Sequence, residues 1–133
     1  MAKAKAKRAL TLVEELLAEK SFVLSKAQAF ETMAMGQTAQ PLWASAASLE
    51  ERIAPLRDAD GEALEAAVHR ISAASCHEKA GDPSRAANLY QAALAGPLRE
   101  VTRKEVERML AACLSRLKAT ASGRKARRTA SAS

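Results

Sequence analysis

Residues 81–83, Gly-Asp-Pro, constrain this chain more than any other three. A glycine past the last apolar position of a helix supplies the left-handed stop that other residues resist. An aspartate next to it suits an N-cap, and a proline after that suits the first helical position, where its missing N–H costs nothing. Gly81-Asp82-Pro83 therefore closes one helix and opens another with almost no loop, which makes an antiparallel helical hairpin. Ala86 and Ala93 are small enough for the second helix to come close to its partner, and Leu89, Tyr90 and Leu94 fill the space beside them.

The remaining punctuation extends this pattern. Thr11 and Glu14 have capping-box spacing ahead of Val13, Leu16, Leu17, Val23, Leu24, Ala27 and Phe30, which predicts helix 1 over about 10–34. Gln37 to Pro41 reads as a connection, because a proline disfavours a helical residue before it. Leu42, Ala46, Leu49, Ile53 and Leu56 then form a two-position seam, ended by Pro55 and the Asp58–Gly61 turn. Helix 3 starts near Gly61 with Leu64, Ala67, Val68, Ile71 and Ala74 along one side. Helix 4 covers about 83–95. Thr102 and Glu105 offer a second capping box, with Val101 and Val106 as a staple, for a helix 5 that fades before Gly123. The chain holds 32 Ala against two Phe, one Tyr and one Trp, so helix formers abound and strand formers are scarce. The expected fold is all-α: about five helices in a compact helical bundle.

The net charge of +6 is unevenly placed. Residues 1–8 carry four basic residues and no acid, and residues 118–133 carry five and no acid. The stretch between holds twelve basic and fifteen acidic residues, a net −3. The implied organisation is a basic N-terminal tail (1–8), a single helical domain (9–119) and a basic, Ser/Ala-rich C-terminal tail (120–133). Tails of this composition suit polyanions, and Lys3, Lys5, Lys7, Arg8, Arg124, Lys125, Arg127 and Arg128 are the candidate phosphate contacts, joined by Arg99, Arg103, Lys104 and Arg108 on helix 5. RKARR at 124–128 has no interleaved aromatics, so base stacking is not suggested. No apolar run approaches a membrane span, neither tail offers bulky apolar residues to insert, and Cys76 and Cys113 sit at helical apolar positions as reduced, buried thiols would. A cytoplasmic protein without membrane insertion is the expectation.

The hairpin also resembles known families. From Ala67 onward, Ala74, Gly81-Asp82, Ala86, Tyr90 and Ala93 fall where a tetratricopeptide repeat has its small residue, its turn and its small-aromatic-small pattern. Arg70 stands where a Trp is common, His77 where an aromatic is expected, and Pro97 one residue early. Helices 3 to 5 are equally similar to the three-helix microtubule-interacting and trafficking domain, through Glu78, Ala80, Gly81, Ala86, Leu89, Tyr90 and Ala93, with Arg103, Val106, Leu110, Arg116 and Leu117 compatible with its third helix. These resemblances, over residues 63–119, imply a groove between helices that holds a partner helix or extended peptide.

Catalysis needs a nucleophile, a base and oxyanion donors that converge, and no such set is visible here. His69 and Cys76 share a helix face, and Cys113 could approach them, but no CxxC or HExxH spacing supports a metal. No metal, cofactor or enzymatic activity is expected. Trp43 reads as core packing against helix 1. The favoured function is an adaptor or assembly subunit that binds a protein partner through a groove rimmed by Arg70, His77 and Tyr90. The alternative is a small subunit of a ribonucleoprotein, holding RNA or DNA by its phosphates; small helical subunits of CRISPR effector complexes have a similar general build.

Overall fold

The structure is a computed structural model that describes the backbone of residues 2–132 and the side chains of residues 11–128. It contains five helices: α1 (Ala2–Thr32), α2 (Gly36–Ala59), α3 (Ala63–Lys79), α4 (Pro83–Leu94) and α5 (Glu100–Ala132). No strand occurs among the described residues, and each helix packs against its neighbours in the chain. The fold is all-α, as its alanine content and spacing imply.

One turn design joins the first four helices. Ala34, Gly61 and Gly81 take positive φ of 59°, 78° and 84° just past the ends of α1, α2 and α3. Their N–H groups donate to the carbonyls of Glu31, Asp58 and Glu78 at 3.0 Å, and the next N–H groups, of Met35, Glu62 and Asp82, reach Phe30, Arg57 and His77 at 2.8 Å. This is the Schellman arrangement, which satisfies carbonyls that a helix end leaves bare. Met35, Glu62 and Asp82 are also the N-caps of the following helices. Of these three, Asp82 alone caps with its side chain, accepting from the Arg85 N–H at 3.1 Å, as its sequence position predicts.

Several boundaries differ from the sequence reading. Pro41 does not end a connection; α2 begins at Gly36 and includes both Pro41 and Pro55. A proline inside a helix deprives the carbonyl four residues back of its donor. Both prolines are exposed, on the side where water can take that donor's place. Thr11 and Thr102 are not at helix starts, because α1 and α5 begin before them at Ala2 and Glu100. Val101 is 83% exposed, so it staples nothing either. α5 runs through Gly123 to Ala132. One interior glycine costs about 1 kcal/mol, and the Ala, Lys and Arg around it are strong helix formers.

The three turns and the 95–99 connection each reverse the chain, as the contacts between successive helices show, so α1, α3 and α5 run one way and α2 and α4 the other. α3 divides the core. On one side Ala27, Ala39, Trp43, Ala46, Ala47 and Cys76 join α1 and α2 to it, extended by Leu16, Leu49 and Ile53 between α1 and α2. On the other, Ala74, Ala86, Ala87, Tyr90, Val106 and Cys113 join α3, α4 and α5. Trp43 is buried as expected; its indole N–H donates to Glu31 Oε1 on α1 at 2.7 Å, and Lys79 Nζ of α3 lies 4.2 Å from the ring centre.

Candidate functional site

The three residues expected at a groove rim are fastenings between helices. Tyr90 is fully buried, and its hydroxyl donates to Glu78 Oε2 at 2.5 Å. Arg116 reaches the other oxygen of Glu78 from α5, tying α3, α4 and α5 together. Burial pushes the Glu78 carboxyl up, but Tyr90, Cys113 and Arg116 outweigh it and hold the group below its ordinary value. Burial and the Glu78 charge in turn push the Tyr90 hydroxyl up. His77 is 3% exposed, with Nε2 3.0 Å from Glu51 Oε2 on α2. Arg70 donates to Asp58 Oδ2 at 2.5 Å. These partners lie 12 to 26 residues away, beyond the reach of i,i+4 reasoning.

A second buried charge cluster joins the first three helices. Glu50 is 1% exposed, with Lys20 Nζ of α1 2.8 Å from Oε1 and His69 Nδ1 of α3 3.1 Å from Oε2. Burial drives its carboxyl up, yet His69 and Lys20 more than compensate and keep it below its ordinary value. His69, Cys76 and Cys113 do not converge: His69 faces Glu50, while the two cysteines are buried in the separate cores on either side of α3. Burial, then the Glu50 charge, pushes the Cys76 thiol up to about 11. Among the described residues no group of three His, Cys, Asp or Glu side chains is arranged to hold a metal.

The basic residues divide into two kinds. Arg103 donates to the carbonyls of Leu94 at 2.8 Å and Gly96 at 3.2 Å, so it caps the end of α4 and is not an open phosphate contact. Arg108 is paired with Glu105 one turn away. Arg99 and Lys104 are exposed at the start of α5. Lys118, Arg124, Lys125, Arg127 and Arg128 are all exposed on the part of α5 that follows Leu117, the last residue to pack on the core. From Lys118 to Arg128 that segment extends about 15 Å. The side chains of Lys3, Lys5, Lys7 and Arg8 lie outside the described residues. Because α1 and α5 run in the same direction, the start of α1 and the end of α5 lie at opposite ends of the array, so the two basic segments do not form one surface.

At 100° per residue, Arg124 and Arg128 continue the stripe that carries Val106, Leu110, Cys113 and Leu117 inside the body. Lys118 and Lys125 flank that line on one side and Arg127 on the other. Ala119, Ser122, Gly123 and Ala126 occupy the back. The packing face thus changes from apolar to cationic where the body ends.

One apolar hollow was not anticipated. Leu64 and Val68 of α3, Leu98 of the α4–α5 connection and Thr102 of α5 enclose about 290 Å³, with Glu65, His69 and Arg99 at its edges. Leu64 and Val68 are 40% and 46% exposed; their i,i+4 spacing marks a helix face but not that α5 leaves it open. Among the described residues no helix is long and apolar enough to cross a membrane. Comparison with family models, curated proteins and solved structures found no match.

Proposed function

We propose that this chain is a non-enzymatic, nucleic-acid-binding subunit of a larger assembly, acting in the cytoplasm. The observation that carries the reading is the second half of α5, an exposed helix bearing Lys118, Arg124, Lys125, Arg127 and Arg128, with no acidic residue after Glu107. Such a rod neutralises phosphates and releases their counterions, so its affinity falls steeply with salt. Three to five phosphate contacts correspond to a weakening of roughly 40-fold to 500-fold between about 50 and 200 mM salt. Fluorescence anisotropy with nucleic acid over that range, on intact protein and on a variant with Arg124, Lys125, Arg127 and Arg128 changed to Glu, tests it. Salt-sensitive binding lost in the variant supports the reading; no binding at low salt refutes it.

A second reading rests on the hollow between α3 and α5. Its Leu64, Val68 and Leu98 lining fits an apolar side chain of a partner helix, the mode of an adaptor and of the tetratricopeptide-like hairpin that α3 and α4 resemble. In that case Val68→Asp abolishes association with the partner and leaves nucleic-acid binding unchanged.

A further inference from the structure

Resting on the nucleic-acid reading, we infer that the cationic half of α5 enters the major groove of B-form DNA, with Lys118, Lys125 and Arg127 on the phosphates of the two walls and Arg124 and Arg128 toward the base edges.

The inference comes from the shape of the charge distribution. A helix lying along a single backbone needs one narrow basic stripe. Here the basic residues spread over roughly half the circumference at 100° per residue, with Arg127 almost opposite Lys118 and Lys125. Arg124 and Arg128 sit between those flanks, one turn apart. Two flanks and a centre match the two phosphate walls and the floor of a groove about 12 Å wide, into which a helix of 10–12 Å diameter fits. Arginine is suited to the floor because its fork matches the O6 and N7 acceptors of guanine. The back of the helix, Ala119, Ser122, Gly123 and Ala126, is small and adds no bulk on the outer side.

The other nucleic acids fit less well. Single strands are held by bases stacked on aromatic rings, and no Phe, Tyr or Trp follows Tyr90. Duplex RNA has a major groove too narrow and deep for a helix. The central stripe continues the packing face of α5, so the duplex lies across the end of the array, above the α3–α4 turn.

The test uses the full-length chain with a 20-base-pair DNA duplex, the same sequence as duplex RNA, and its single DNA strand. The expected result is DNA-duplex binding at least tenfold tighter than to the other two, about the cost of losing one good contact. Guanine N7, a major-groove atom, should be protected from dimethyl sulfate. Arg124→Gln with Arg128→Gln should abolish N7 protection. Lys118→Gln with Lys125→Gln should retain it while lowering the salt slope by about 1.8. Circular dichroism of both variants confirms that the helical array is retained. Equal affinity for all three nucleic acids, or DNA binding with N7 unprotected, overturns groove entry and leaves the broader reading standing. No binding to any of them at low salt overturns both.

Discussion

Changing Ala34 to Gly should stabilise this protein, although it removes a methyl group and adds no contact. Ala34 holds the left-handed position of the α1–α2 turn at φ 59°, where the two sister turns have Gly61 and Gly81. An L-residue in that region costs about 1–2 kcal/mol. Glycine removes the cost but gives back about 0.4–1 kcal/mol through its freer unfolded chain. The net gain is therefore about 0.5–1 kcal/mol, or roughly 2–5 °C in Tm for a domain of this size. Ala34 is exposed, so no core packing is lost with its methyl. The reverse changes, Gly61→Ala and Gly81→Ala, should destabilise by a similar amount. A Cβ at Gly61 meets nothing within 4 Å, and one at Gly81 meets Gln40 Nε2 at 3.5 Å, an ordinary contact, so both report backbone strain alone. Urea denaturation followed by circular dichroism measures all three. A neutral or destabilising Ala34→Gly beside costly Gly61→Ala and Gly81→Ala would show that the first turn is not built like the others.

Two further outcomes follow from the fastenings. Arg103→Met keeps the aliphatic packing but removes two bonds to the end of α4, which should lower stability by about 1–3 kcal/mol in urea titrations and leave DNA affinity unchanged, opposite to the result for a phosphate contact. Glu50 and Glu78 are both held below the ordinary value of 4.5, so their stabilisation is complete above about pH 4.5 and is lost as pH falls through their folded values. Glu50→Gln and Glu78→Gln should each lower the urea midpoint at pH 7 and flatten its decline between pH 5 and 3; a decline of unchanged steepness would show that other carboxylates govern acid unfolding.

What could be read in the sequence was local. Gly81-Asp82-Pro83 forms the turn it spells, because a left-handed glycine, a capping carboxylate and a first-turn proline each act on their immediate neighbours. Thr11 misled for the same reason: a capping motif has no force inside a helix whose alanine-rich flank already extends past it, and at Thr102 the helix starts two residues earlier, at Glu100. Pro41 misled because whether a helix tolerates proline depends on which side faces water, a tertiary property. His77 and Tyr90 read as rim residues in the sequence because their acids, Glu51 and Glu78, come close only after the helices pack, whereas Arg70 is half-buried and meets Asp58 at the surface. Arg103 looked like a phosphate ligand because nothing in the local sequence reveals that the 95–99 connection brings the end of α4 to it.

The same pairings show how the acids of the body are used. Glu31, Glu50, Glu51, Asp58, Glu65, Glu78, Asp82 and Glu105 each face a donor within the body. Six of these eight join one helix to another, while Asp82 and Glu105 pair within a turn of their own position, and the positive surplus of the sequence lies in its two end segments. Those segments leave opposite ends of an array whose longest helix, α5, has 33 residues and so measures about 50 Å. A polyanion held by both must run the length of the protein, while one held by α5 alone need touch only one end. Removing residues 1–8 separates these cases: it lowers the salt slope by up to about 3.6 if both ends share one duplex, and leaves it unchanged if α5 acts alone.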